Sequence, residues 1–135
     1  GWTFGSPTWG HIRLDSRPLE SVQRDTVRWA EEVGSLVGPT NILFYPHGGR
    51  PDGDDWHSTG PVFQYLQSQG FRIFASVGIN SFSYIKKDIS AVICDRLHPD
   101  GTTLRNGKAL EWYSQFYDAR EIIDLDVRPD LGVTW

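Results

Sequence analysis

The residues of this chain that could carry chemistry include His11, which ends a segment of distinctive composition. Residues 8–11 read Thr-Trp-Gly-His, so His11 follows a glycine at an expected transition from a strand to a helix. An imidazole at such a position can ligate a divalent metal, and a catalytic zinc site combines about three protein ligands with an open position for water. The alternative is that His11 is an ordinary polar residue of a loop.

A second histidine to weigh is His98, which follows the strand expected at 89–97. The residues that follow it, 99–101, read Pro-Asp-Gly and are typical of a turn. That turn favours a hairpin, and with it a structural role for His98.

The segment 46–57 is polar, rich in glycine and aspartate, and long enough for a functional loop. An exposed Trp56 above the strand ends could stack on a sugar ring. Asp52, Asp54 and Asp55 could suggest calcium, but the bidentate glutamate of a calcium loop is missing. A solvated loop is therefore the preferred interpretation of these aspartates.

Alternating helices and strands must position these residues. Apolar side chains at three- and four-residue spacing predict a helix over residues 18–37, and a second helix follows from 61 to Gly70. Strands are expected at 42–45, 71–77 and 89–97, with a short helix near 81–87 and a third helix around 110–113. This order predicts an α/β fold with a mainly parallel sheet.

The composition excludes several classes of function. The 135 residues carry a formal net charge of −4, and no run of lysine or arginine is present, so we expect no nucleic-acid partner. No apolar stretch approaches the roughly 20 residues that span a bilayer, so we expect no membrane span. The single cysteine, Cys94, lies in an apolar run and is predicted to be a buried thiol.

Two motifs resemble those of the polysaccharide deacetylases, the NodB-like carbohydrate esterases. Residues 7–11 resemble the family's motif His-Ser/Thr-x-x-His, in which both histidines bind metal. Here His11 is present, but Pro7 stands at the first position. Residues 44–48 resemble the motif Arg-x-Pro-Tyr/Phe-Gly, with Phe44 in place of the arginine. The family's aspartate motif would lie upstream of Gly1.

The resemblance implies a partial (β/α) barrel, with residues 1–135 as the C-terminal portion of one incomplete domain. It implies metal-dependent hydrolysis of N-acetyl groups on a cell-wall or chitin-like glycan, with zinc as the expected metal. It also implies an extracytoplasmic or secreted location. Under this resemblance His11 is the metal ligand, and the substrate-binding residues are Trp9, Tyr45, Pro46, His47, Gly48 and Trp56. Residues 96–98, Arg-Leu-His, superficially resemble the family's Leu-x-His motif, which supplies the general acid, so the resemblance makes His98 a weak catalytic candidate.

Two other functions remain open at this stage. Because Pro7 cannot ligate, the chain could bind no metal and be a non-catalytic relative that binds glycans, with aromatic rings as stacking surfaces. Alternatively, open sheet edges of a half-barrel could pair two copies into a homodimer that serves as a scaffold.

Overall fold

A computed structural model describes residues 2–53, 60–77, 84–86, 90–96, 111 and 114–115. The chain divides into two compact units, Gly1–Leu97 and His98–Trp135. In the second unit the described residues include a local hydrogen bond, in which Ser114 Oγ donates to the Glu111 carbonyl at 2.7 Å. All other structural features below belong to the first unit.

The first unit opens with a long helical segment, as the apolar spacing predicts. Helix α1 (Leu19–Trp29) continues through a π-helical stretch (Ala30–Gly34) into a short helix α2 (Ser35–Val37). Pro18 precedes the first turn with φ −64°, a value that its ring enforces. Gly38 ends the segment at φ 89°, a left-handed conformation that glycine adopts without steric cost.

A four-stranded sheet follows, with strands β1 (Ile42–Phe44), β2 (Ile73–Val77), β3 (Tyr84–Lys86) and β4 (Ala91–Arg96). The strand order is β1-β2-β4-β3. The first three strands in that order run parallel, and β3 pairs with β4 in the antiparallel sense. Helix α3 (Pro61–Ser68) connects β1 to β2.

The backbone before α1 also joins the sheet. Ser6 forms an isolated parallel bridge with Leu43. The Ser6 nitrogen donates to the Ile42 carbonyl at 2.9 Å, and the Phe44 nitrogen donates to the Ser6 carbonyl at 2.8 Å. The chain around Ser6 therefore runs beside β1, and both segments end at the same edge of the sheet.

One face of the sheet forms the core with the helices. Leu43, Phe74 and Ile93 lie side by side in register and are almost fully buried. The Phe63 ring of α3 stacks on Phe74 with ring centroids 4.7 Å apart. The other buried members of this cluster are Leu14, Val22, Tyr45, Val62, Leu66, Phe71 and Ala91.

The predicted α/β organisation with a mainly parallel sheet is confirmed for these residues, and one element is corrected. The short helix expected near 81–87 is wrong at Tyr84–Lys86, which forms β3. Backbone pairing with β4 overrides the local preference there. The third helix, around 110–113, lies mostly outside the described residues. The barrel stays a prediction. Within the described part of the chain, no helix is long and apolar enough to cross a membrane.

Candidate functional site

The loop that follows Ser6 is held by hydrogen bonds within itself. The Thr8 nitrogen donates to Ser6 Oγ at 3.1 Å, and the Ile12 nitrogen donates to Thr8 Oγ1 at 2.9 Å. Ser6 and Thr8 are buried, while His11 is exposed. Thr8 and His11 both have left-handed backbones, with φ 64° and 50°. These bonds fix the backbone that presents the His11 imidazole to solvent.

Asp25 of α1 anchors the same loop from the helix. Its Oδ1 accepts a hydrogen bond from the Trp9 nitrogen at 2.8 Å, and its Oδ2 accepts one from the Gly10 nitrogen at 2.7 Å. A Cβ at Gly10 would lie 3.1 Å from Asp25 Oδ2, which is tighter than ordinary contact. The glycine before His11 therefore allows the close approach of this carboxylate. The sequence analysis did not identify Asp25. A charged residue on the buried face of α1, between Val22 and Trp29, could have indicated a structural role for it.

The second loop follows β1 and contains His47. The Tyr45 nitrogen donates to the Ala75 carbonyl at 2.8 Å, and Pro46–Gly48 then form a single 3-10 turn. His47 lies inside this turn with φ 54°, again in the left-handed region. Its side chain is exposed, whereas Tyr45 and Pro46 beneath it are buried.

His11 and His47 are brought into contact at this edge of the sheet. Their ring centroids are 4.7 Å apart, with an angle of 75° between the ring planes. A Cβ at Gly49 would lie 3.3 Å from the Leu14 nitrogen and 3.0 Å from Asp15 Oδ1, so the two loops are closely packed. The two segments that resemble family motifs thus form one surface, and each contributes one imidazole to it.

Trp9 is held against α1 by two charged residues. The Arg28 guanidinium lies 3.6 Å from the centroid of the Trp9 ring, a cation–π contact. Trp9 Nε1 donates to Glu32 Oε2 at 2.8 Å, and Arg28 Nε donates to Glu32 Oε1 at 2.7 Å. Hydrogen bonds from Arg28 and then from Trp9 lower the pKa of Glu32. One face of Trp9 is covered by Arg28, and the side chain stays 40 % exposed.

Burial corrects the role expected for two predicted substrate-binding residues. Tyr45 is 2 % exposed, and its ring lies 6.2 Å from that of Phe74 in the core. Pro46 is also among the fully buried side chains. The two residues support the turn from below, so they offer no stacking surface for a sugar. Gly48 has φ 69°, and its role is to shape the turn that carries His47.

Asp52 has a specific structural role that the sequence did not predict. Its Oδ1 accepts from the Val62 nitrogen at 3.1 Å and its Oδ2 accepts from the Phe63 nitrogen at 2.9 Å. It thereby caps the amino end of α3, where Gly60 provides no side chain. The interpretation of Asp52 as a solvated loop residue is therefore wrong. Asp54, Asp55 and Trp56 lie outside the described residues.

The sheet face opposite the core carries two further side chains of interest. The Arg96 guanidinium lies 5.8 Å from the ring centroid of Phe44. Phe44 is the residue that stands where the motif resembled by residues 44–48 has an arginine. Cys94 is half-buried, with Sγ 3.8 Å from the Phe74 carbonyl oxygen. Burial, and secondarily the charge of Asp95, raise the pKa of the Cys94 thiol.

The two imidazoles at this surface are of a ligand type that suits a divalent transition metal, but they are fewer than the protein ligands of a catalytic zinc site. Imidazole is a preferred ligand of zinc, and a catalytic zinc has about three protein ligands. Among the residues that the structure describes, no group of three or more His, Cys, Asp or Glu side chains could hold a metal ion. Pro7 has no donor atom in its side chain, and His98 lies outside the described residues.

Comparison with protein-family models, with curated proteins and with solved structures finds no match to this chain.

Proposed function

We propose that this chain is a polysaccharide-deacetylase-like α/β domain that acts on an N-acetylated cell-wall or chitin-like glycan outside the cytoplasm. The observation that carries the proposal is the contact of His11 with His47, since their ring centroids lie 4.7 Å apart. The two residues belong to different family-like motifs, and they meet at the carboxyl ends of neighbouring parallel segments. Ligands of open α/β sheets and barrels bind at that edge.

The strand order supports a segment of a (β/α) barrel. The Ser6 segment, β1, β2 and β4 are parallel neighbours in that order. Strand β3, which lies between β2 and β4 in the chain, pairs antiparallel with the outer side of β4. A barrel is built by placing each new parallel strand beside the preceding one, with helices on the outer face. Helices α1 and α3, which connect the first three of these segments, share one buried cluster with the sheet.

Within the proposed reaction, the residues of this chain bind and orient. A zinc ion, when bound, would activate water and polarise the acetamide carbonyl. His11 would hold that ion, and the exposed face of Trp9 would contact the sugar. Asp25 would fix the backbone between these two residues through its hydrogen bonds to Trp9 and Gly10.

The test is acetate release from N-acetylated chitooligosaccharides and from peptidoglycan fragments, measured with zinc present. We expect slow release that is lost in His11→Asn, because asparagine tolerates the left-handed backbone but lacks the imidazole. Arg17→Gln, at an exposed position after the loop of His11, is the control and should keep the activity. Release that is unchanged in His11→Asn would exclude the proposed role of His11.

Glycan binding without hydrolysis is a second candidate, and the ligand count favours it. The described residues offer two imidazoles where a catalytic zinc has about three ligands. In that case the chain binds chitooligosaccharide without releasing acetate, and Trp9→Ala weakens the binding. Trp2→Ala is the matched control, because Trp2 is 92 % exposed and lines a groove with Pro39 and Gln69. If the chain neither releases acetate nor binds glycan, both candidate functions are overturned.

A further inference from the structure

We propose that His11 and His47 together bind one late transition-metal ion, so that His47 supplies an imidazole that Pro7 does not. The inference rests on the site of the proposed function and names its ligands. In the motif resemblance His47 contacts substrate, and the resemblance does not make it a metal ligand. The structure places its imidazole at the ring of His11, from a different loop.

The distance between the two rings suits a shared ion. Two imidazoles bound to one zinc through nitrogens at about 2.0–2.1 Å have ring centres about 5 Å apart. The ring centroids of His11 and His47 are 4.7 Å apart. Both side chains are exposed, and exposed side chains change rotamer within about a nanosecond. The rings meet edge to face, with 75° between their planes, so binding requires a rotation that turns one nitrogen of each ring toward the ion.

The backbone of both histidines is held in an uncommon conformation. Their φ values are 50° and 54°, and the left-handed region costs a residue with a Cβ about 1–2 kcal/mol. Strain of this kind persists only where the surrounding structure enforces it, and it concentrates at ligand-binding positions. Here the loop of His11 is fixed by Asp25 and Thr8, and the turn of His47 is fixed by its packing through Gly49.

The ligand type selects the class of metal. Imidazoles favour zinc, nickel and copper, whereas magnesium and calcium prefer oxygen ligands. For a given nitrogen site the affinity rises from nickel to copper and is lower for zinc than for copper. The remaining coordination positions would be filled by water, which leaves room for a substrate oxygen. Two protein ligands give weaker binding than a complete structural zinc site.

The experiment is calorimetric titration of the chain with Ni²⁺ and with Zn²⁺ at neutral pH, without glycan. We expect one ion per chain, with affinity reduced at least about tenfold in His11→Asn and in His47→Asn, because each variant removes one of two ligands. Asparagine is chosen because it tolerates a left-handed backbone. Mg²⁺ should give no binding, and acidification should weaken Ni²⁺ binding because the imidazoles must be neutral.

The matched control is the double variant His57→Asn with His98→Asn. It leaves His11 and His47 as the only histidines of the four in the chain, and it should bind as the unchanged protein does. Binding lost in this control but kept in His47→Asn would overturn the inference. So would ring signals of His11 and His47 that do not shift in NMR spectra when Zn²⁺ is added.

The outcomes separate this inference from the proposed function. Metal binding that needs both histidines, without acetate release or glycan binding, would support the site and remove the proposed function. Acetate release that persists in His47→Asn, together with unchanged metal affinity, would overturn the metal pair and leave the deacetylase proposal standing.

Discussion

The Asp25 carboxylate accepts a hydrogen bond from the backbone nitrogen of Gly10 at 2.7 Å, across the gap between α1 and the loop of His11. Its other oxygen accepts from the nitrogen of Trp9. Asp25 is only 9 % exposed, on the stripe of α1 that also buries Val22 and Trp29. A helix that packs on the sheet thus also fixes the backbone of the candidate site.

Replacing Asp25 should therefore destabilise both the loop and the domain. A hydrogen bond to a charged group contributes about 1.5–3 kcal/mol, and Asp25→Ala removes two of them from partly exposed donors. We expect the free energy of unfolding, measured in urea, to fall by about 3 kcal/mol, the lower end of the sum for two such bonds, because both are partly exposed. Asp25→Asn should also destabilise the protein, because the NH₂ group of asparagine would face one of the two backbone N–H donors, those of Trp9 and Gly10, and could not accept its hydrogen bond.

The control for this prediction is Glu31→Gln, at an exposed position of the same helical segment. Its free energy of unfolding should change by less than about 0.5 kcal/mol, as is usual for surface substitutions. An Asp25→Ala variant as stable as Glu31→Gln would show that the two hydrogen bonds contribute little.

A second prediction concerns Asp52, which caps α3 through the nitrogens of Val62 and Phe63. We expect Asp52→Ala to lower the free energy of unfolding by about 1 kcal/mol, the usual effect of losing a cap. Asp52→Asn should cost less, since its side-chain oxygen can still accept one bond. Calcium up to millimolar concentration should leave the melting temperature unchanged. A calcium-dependent rise would instead indicate a metal site in this loop.

Much of the fold could be predicted because the spacing of apolar residues along the chain indicates which side chains are buried. The spacing of Val22 and Trp29 marks one face of a helix, and Leu43 and Phe74 fall on strands that the sequence identifies. Helix ends followed from Pro18 and Gly38, whose backbone preferences are local. The antiparallel β3 could not be read, because Tyr84–Lys86 takes its conformation from pairing with β4.

The site was less predictable, because its key relationships join distant parts of the chain. The sequence singled out His11 for its position after a strand, but the contact with His47 depends on the pairing of Ser6 with Leu43. Tyr45 was expected to bind substrate because of the motif resemblance, but its ring lies in the core. Side-chain direction at the end of a strand depends on register, which composition does not reveal.

A third prediction follows from Cys94, the single cysteine of the chain. Burial raises the pKa of its thiol, and the charge of Asp95 adds to the effect. Less thiolate is then present at neutral pH, so alkylation by iodoacetamide should be slower in the folded protein than in urea. Asp95→Asn should speed the reaction of the folded protein. An equal rate with and without urea would contradict the raised pKa.

The last prediction is the acid sensitivity of the cluster formed by Trp9, Arg28 and Glu32. Hydrogen bonds from Arg28, and then from Trp9, hold the pKa of Glu32 below its ordinary value. Because the pKa is lowered in the folded state, the stabilisation is present above the ordinary glutamate pKa of about 4.3 and is lost as the pH falls through the lowered value. The Trp9 indole N–H signal in NMR spectra should therefore shift only at acidic pH.

Arg28→Gln tests the cause of this lowered pKa, because Arg28 makes the largest contribution to it. In this variant the Trp9 indole signal should titrate at a higher pH than in the unchanged protein. Trp9→Phe assigns the signal among the six tryptophans of the chain. Identical titration midpoints in the two proteins would mean that Arg28 does not lower the pKa of Glu32. A higher midpoint in Arg28→Gln would show that Arg28 lowers the pKa of Glu32, the carboxylate that accepts the hydrogen bond of the Trp9 indole.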